Sequence, residues 1–255
     1  MYCPQCGIFN PDDAAFCGTC GTPMKAGVAN WPTLQSKEAK WRKFASSPLM
    51  LACAVAASVL SLVNLYNLFE FFRVLPYYEL GDPQQLLSVL YSIVQPLALV
   101  TATVGVWLLY AEGWKTRPLN TTCIKVLLAG SAGMLAAATI NLLALIMAFG
   151  EYIEYGMASA MVSSLLGYGL VFATFVLTTI LLYRCRNDVL ANPGDGLLKG
   201  AGILFIVEGS FIVLAMLMNP FLNMGMLSLL ACLISLSFYF LVGSLLFFSR
   251  KLWKA

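Results

Sequence analysis

The sequence predicts an all-α membrane protein: a bundle of six transmembrane helices preceded by a small four-cysteine module. Three observations predict it. The 255 residues are 60% hydrophobic and 11% charged, with a mean hydropathy of +0.82, whereas soluble domains are roughly 25% charged. The apolar residues fall into runs of about 20, the length that crosses a hydrocarbon core as a helix. Four of the eight cysteines crowd into the first twenty residues. This composition excludes disorder, collagen-like repeats, coiled coil and an ordinary soluble enzyme. The chain has no histidine, which excludes Ser-His-Asp and Cys-His nucleophile pairs, HExxH zinc hydrolysis and imidazole proton relays.

The cysteine module comes first in the chain. Cys3-Pro4-Gln5-Cys6 and Cys17-Gly18-Thr19-Cys20 are two C-x-x-C pairs separated by residues 7–16. Zinc has no geometric preference of its own, so four thiolates can close a tetrahedral shell around it. The two-residue gap lets both sulfurs of a pair reach one ion, and Gly7 and Gly21 let the backbone turn just after each second cysteine. So short a segment cannot bury a core, and a metal must supply much of its folding free energy. The spacing assigns Cys3, Cys6, Cys17 and Cys20 to one structural Zn2+, with a rubredoxin-like iron site or a redox pair as the alternatives.

The stretch from Tyr2 through Gly7, continued by Phe16 through Gly21, resembles the N-terminal zinc ribbon of many bacterial membrane and regulatory proteins. The resemblance implies a zinc ribbon over residues 1–24 of a bacterial multi-pass membrane protein. It also implies a structural or interaction module with a cytosolic protein partner, and it implies no activity. Cys53, Cys123, Cys185 and Cys232 are scattered singly through apolar or interfacial sequence and are expected to be small buried hydrophobes.

Residues 25–47 follow as a linker, centred on 28–31, and a basic helix. Between Leu34 and Phe44 the bases Lys37, Lys40, Arg42 and Lys43 accompany Trp41 and Phe44 at helical spacing. That pattern predicts an interfacial helix held by acidic headgroups and the aromatic belt. So short a patch lying against the membrane is not expected to bind nucleic acid. No cleavable signal is expected either, because residues 1–30 are polar and rich in Cys, Gly and Pro.

Six spans are then predicted, at 48–69, 86–111, 122–149, 157–183, 197–218 and 225–248, within a transmembrane domain of 48–249. Pro48 opens the first at a helix-start position. Gly81-Asp82-Pro83 breaks the chain before the second, Asn219-Pro220 separates the last two, and a basic tail occupies 250–255. The spans group as three helical hairpins, about 43–115, 120–186 and 197–254. Their second helices end in Trp107-Leu108-Leu109-Tyr110, Ile180-Leu181-Leu182-Tyr183 and Ser244-Leu245-Leu246-Phe247. This records either a triplicated unit or a common interfacial pattern. Arg73 is the only basic residue flanking one side, beside Glu70, Glu79, Asp82, Glu151 and Glu154. Every other Lys and Arg gathers on the opposite side, which predicts a plasma-membrane protein with both termini in the cytosol. A thiolate metal site agrees with that reducing compartment.

Glu208, in Ile203-Leu204-Phe205-Ile206-Val207-Glu208-Gly209-Ser210, is the one acid deep in a span. Such a carboxylate is costly and carries a proton unless solvated or paired. Asn64, Gln95 and Asn141 fall at similar depth by helix rise, and Pro96 frees a carbonyl one turn before itself. Two readings follow: a proton- or cation-linked site in a bundle cavity, or side chains that merely tie one helix to another. Ala129-x3-Gly133-x3-Ala137, Ala52-x3-Ala56, and Gly167, Gly169 and Ala173 predict close helix packing.

Enzyme readings fail. Ser131 in Gly130-Ser131-Ala132-Gly133 has no histidine to activate it. Asn192-Pro193-Gly194-Asp195-Gly196 is a turn before the fifth span, and no Walker or dinucleotide-binding pattern occurs. The expected function is therefore a non-enzymatic membrane protein whose ribbon serves protein interaction or regulation. A small proton- or cation-linked transporter or channel using Glu208 is the alternative.

Overall fold

A computed structural model of the chain describes residues 2–3, 5–11, 14, 16–22, 31–78, 81–115, 119–154, 158–190, 192–218 and 226–249. Residues 28–30 of the expected linker, the Asn219-Pro220 turn, the 250–255 tail, and Lys25, Glu79 and Arg117 of the charge pattern lie outside the described residues. The chain divides into two compact units, Met1–Lys40 and Trp41–Ala255.

In the first unit, Tyr2 and Phe9 form an isolated antiparallel bridge. Two short turns, at residues 5–6 and 18–20, are described with the metal centre below. Helix α1 (Trp31–Ala45) starts in the first unit and ends in the second.

The second unit is helical: α2 (Pro48–Val74), a 3-10 turn Leu75–Tyr77, α3 (Pro83–Glu112), α4 (Thr122–Met147), α5 (Phe149–Glu154), α6 (Ala158–Cys185), α7 (Asp195–Met218) and α8 (Met226–Ser249). The start signals act as expected. The Ser47 hydroxyl accepts from the Met50 N–H ahead of Pro48, and the Asp82 carboxylate accepts from the Gln84 N–H ahead of Pro83. Several boundaries differ from the apolar runs. Helix α2 continues past 69 to Val74, because Glu70 and Arg73 pair one turn apart at 3.0 Å and the next breaker is Pro76. Helix α3 begins at its proline rather than at 86, α4 stops at Met147, and residues Phe149–Glu154 form a separate short helix.

Five helices among the described residues are long and apolar enough to cross a membrane: Pro48–Tyr77, Pro83–Glu112, Thr122–Met147, Met161–Cys185 and Asp195–Val213. In α8 the corresponding stretch is the shorter Cys232–Phe247.

Each expected hairpin pair, α2–α3, α4–α6 and α7–α8, packs together, and contacts also run between the hairpins. Helices α2, α3, α4, α6, α7 and α8 pack in chain order and α8 returns to α2, which closes a ring. The most extensive contact is α3 on α4, across the boundary between the first two expected hairpins. Glycines are the reason. A Cβ at Gly130 would lie 2.5 Å from the Ala102 nitrogen, one at Gly133 2.7 Å from the Ala98 Cβ, and one at Gly105 2.7 Å from Leu127. The backbones meet because those side chains are absent. Gly130 takes the interface position and Ala129 faces outward. Gly202 and Gly243 bring α7 to α8 in the same way, with a Gly202 Cβ 3.0 Å from the Gly243 carbonyl oxygen. Gly167 meets Phe211 of α7, and Gly169 meets nothing within 4 Å. Ala52 and Ala56 line an open groove between α2 and α8 instead of a tight contact.

The end of α1 also departs from expectation. Trp41 is 6% exposed and Ala45 is buried, packed with Cys123, Ile124, Cys185 and Val189 where α4 starts and α6 ends. An indole lodged in a protein cluster is not a headgroup anchor. Arg42 holds the same corner by donating to the carbonyls of Glu112 and Lys115, and Glu112 pairs with Lys115. The chain passes so close here that a Cβ at Gly113 would lie 2.6 Å from the Ser46 nitrogen.

Candidate metal centre and polar cavity

The cysteine segment of the first unit contains two copies of one turn. In the first copy, Cys3 donates its N–H to the Ile8 carbonyl and Gly7 donates to the Cys3 carbonyl, each at 2.9 Å. In the second, Cys17 donates to the Thr22 carbonyl at 2.7 Å and Gly21 to the Cys17 carbonyl at 2.9 Å. Gly7 and Gly21 stand at φ 70° and 71°, a left-handed conformation that L side chains resist. Each turn thereby directs two sulfurs to one point.

The four sulfurs of Cys3, Cys6, Cys17 and Cys20 all lie within 4.8 Å of one another. Cys3 and Cys20 sulfurs are 3.5 Å apart, and those of Cys6 and Cys17 are 3.6 Å apart. Zinc–sulfur bonds of about 2.3 Å in a tetrahedron place sulfurs roughly 3.8 Å apart, so the residues fit a four-coordinate ion. Cys3 and Cys17 are buried, Cys6 and Cys20 exposed.

A cation at the centre would let all four sulfurs carry charge. N–H groups of Cys20 and Thr19 point at the Cys17 sulfur and hold its thiol down to about 6. Burial pushes Cys3 up, but the N–H groups of Cys6 and Gln5 and its sulfur neighbours outweigh burial and leave it lowered. Cys6 takes the opposite course. The Ile8 N–H favours its thiolate, yet the Cys20, Cys17 and Cys3 sulfurs and burial push it up to about 12. Four thiolates at these distances cannot all be charged without a cation between them.

Sequence reasoning missed the residue that joins the two turns. Asn10 is 6% exposed. Its amide donates to the Ile8 carbonyl at 2.9 Å and to the Cys17 sulfur at 3.4 Å, and its carbonyl accepts from the Gly18 N–H at 3.0 Å. The Thr22 hydroxyl lies 3.0 Å from the Cys20 sulfur. The residue type alone carries no sequence signal for this outer shell, because the burial of Asn10 is a property of the fold.

The intramembrane residues gather around two cavities in the second unit. The larger, of about 360 Å³, is lined by all six helices of the ring and includes Asn64, Asn67, Gln95, Ser131, Cys232 and Tyr239. The smaller, of about 170 Å³, includes Tyr91, Gln95, Asn141, Tyr168 and Tyr239. Gln95 and Tyr239 belong to both walls. Asn64 faces the large cavity while its amide donates to the Leu60 carbonyl of its own helix. Asn141 interacts with the Tyr91 hydroxyl. Cys232 is a half-buried wall residue, unlike Cys53, Cys123 and Cys185, which are buried as expected.

Glu208 lines neither cavity. It is 4% exposed, and neither carboxylate oxygen has a hydrogen-bond partner. Thr174 of α6 and Tyr239 of α8 face it without forming a hydrogen bond to it, and the Thr174 hydroxyl donates to the Leu170 carbonyl. Tyr239 thus adjoins the carboxylate and also belongs to the walls of both cavities. The tyrosines are the second omission of the sequence reading. Tyr91 lies one helical turn before Gln95, and that spacing was the available signal.

Ser131 serves packing, its hydroxyl 2.8 Å from that of Thr179 on α6. The Asn192–Asp195 segment is the expected turn, with Gly194 at φ 100° and its N–H donated to the Asn192 side chain. Models of protein families, curated proteins and solved structures contain no match to the chain.

Proposed function

We propose that the chain is a non-enzymatic integral membrane protein of a bacterial plasma membrane. It crosses the bilayer six times, both termini are cytosolic, and one structural zinc ion in the ribbon builds a surface for protein interaction or regulation. The observation that carries this reading is the pairing of a four-sulfur cluster with a surface of exposed rings. Tyr2 is 73% exposed, Phe9 65% and Phe16 55%, and Tyr2 stacks edge-on against Phe9 with ring centroids 5.3 Å apart. Tyr2 and Phe9 form a contiguous exposed pair of the kind that marks contact sites, and Phe16 is a third exposed ring on the same small unit. The metal fixes its shape. Crosslinking and pull-down from membranes tests the reading, with the intact chain compared with a chain lacking residues 1–30 and with a Tyr2→Ser, Phe9→Ser double variant. Partners captured only by the intact chain support it. Capture that survives both changes overturns it.

A second reading has its own observation. A carboxylate in the hydrocarbon zone with no internal partner is costly as a packing element. The absence of any hydrogen bond from Glu208 to another helix favours a proton- or cation-linked transporter or channel. Loss of pH-driven flux from proteoliposomes on Glu208→Gln supports this reading. Unchanged flux and pH response remove it.

A further inference from the structure

Glu208, Tyr239 and the large cavity form one assembly, and its parts specify a ligand. The cavity of about 360 Å³ falls in the size range of small-molecule sites. Phe175, Phe205, Phe238 and Tyr239 contribute contiguous rings to its wall, with centroids 6.4 Å apart for Phe175–Phe205, 5.9 Å for Phe205–Tyr239 and 6.0 Å for Phe238–Tyr239. The wall carries carboxamides and hydroxyls from Asn64, Asn67, Gln95 and Thr178 but no charged side chain. Glu208 lies one helical turn after Phe205 and beside Tyr239, with both oxygens unpartnered.

A buried anion must be neutralised by a proton or a cation. Aromatic faces attract organic cations, and they do so most strongly where water is excluded. Divalent metals favour an oxygen shell that includes carboxylates, and this wall carries neutral carboxamides and hydroxyls but no charged side chain. On the transport reading of Glu208, we propose that the cavity binds a lipophilic organic ammonium ion whose charge is met by the Glu208 carboxylate.

Binding is an exchange. The carboxylic acid O–H bond of Glu208 breaks, the proton leaves to water, and the carboxylate takes the ammonium as counter-ion. One positive charge replaces another, so the buried site stays neutral. Among the described residues, helices α6 and α8 pack against α7. The groups that face Glu208 from them are Thr174, which does not titrate, and Tyr239, with Tyr91 of α3 beyond it. Glu208 is thus the acid that exchanges.

The test is equilibrium binding of benzyltrimethylammonium to the full chain in nanodiscs across a pH series. This probe is a permanent cation, so any pH dependence belongs to the protein. The expected result is saturable binding that strengthens about tenfold per pH unit while one proton is exchanged. Glu208→Gln should weaken it about 30-fold or more and flatten the pH dependence, while Glu208→Asp keeps the pH dependence. Glutamine mimics the neutral acid, and size-exclusion profiles confirm that each variant folds. Absence of saturable binding, or equal affinity and pH slope in Glu208→Gln, overturns the proposal. A parallel proton-flux measurement in phosphatidylethanolamine–phosphatidylglycerol vesicles separates it from the transport reading. Glu208-dependent binding without flux supports the cation site and ends transport. Glu208-dependent flux without binding overturns the cation site and keeps transport.

Discussion

Asn10 is where the two cysteine turns meet. Its amide touches the Cys17 sulfur while its carbonyl receives the Gly18 N–H, so it orients a ligand and partly balances its charge. Outer-shell partners of this kind typically change metal affinity by about 10- to 100-fold. At the proposed zinc site, Asn10→Ala should weaken zinc by that factor in a competition titration, while Cys17→Ser would remove a ligand and abolish stoichiometric binding by elemental analysis. Glu112 shows the same logic away from the metal. It is 4% exposed, pairs with Lys115 and accepts the Asn120 N–H at 3.4 Å. Lys115 can reach solvent when its partner is lost, so the penalty for Glu112→Ala is dominated by the orphaned N–H and the vacated space. The expected loss is about 1–3 kcal/mol, read as a lowered denaturation midpoint in detergent. The cysteines declared themselves by spacing. Asn10 and Glu112 did not, because a polar residue buried by tertiary contact looks the same in sequence as one in water.

Among the helices, length and polarity were written openly and neighbour relations were not. The apolar runs locate α2 to α4 and α6 to α8 to within a few residues, because a hydrocarbon solvent demands continuous apolar backbone-satisfied segments. In such a solvent apolar side chains face lipid and protein alike, so periodicity does not point to a partner. That is why the α3–α4 contact was hidden, although Gly105, Gly130 and Gly133 were present to signal it. Tyr91 and Tyr239 were hidden for a related reason: in an apolar run a tyrosine passes for an aromatic filler. The α3–α4 contact makes a differential prediction. A Gly130→Leu side chain begins 2.5 Å from the Ala102 nitrogen, which backbone cannot yield without separating the helices, and about 1–3 kcal/mol should be lost. Gly169→Ala meets nothing within 4 Å and should cost nothing, gaining up to about 1 kcal/mol in helix propensity. Thermal unfolding of both variants in one detergent checks the contrast.

Taken whole, the chain joins two units whose stability has different origins. On the metal-site reading, residues 2–22 contain too little apolar surface to fold unaided, and their order would depend on four sulfurs meeting one ion. The helical unit depends on glycine-mediated backbone approach and on the ring of α2, α3, α4, α6, α7 and α8. Metal removal should therefore act on one and spare the other. On adding a strong chelator, amide hydrogen exchange should rise across residues 2–22, including the Cys3, Gly7, Cys17 and Gly21 N–H groups that close the two turns. Exchange in α3 and α4 should stay unchanged, and far-ultraviolet circular dichroism should keep its helical signal. Acid should reproduce the effect, because protons compete with the metal for the sulfurs. The exposed rings of Tyr2, Phe9 and Phe16 would then lose their fixed arrangement, and any partner that recognises them should dissociate on chelation. Exchange that rises equally in the helices would mean that the ion stabilises the bundle as well, and the ribbon would be a structural brace instead of a docking module.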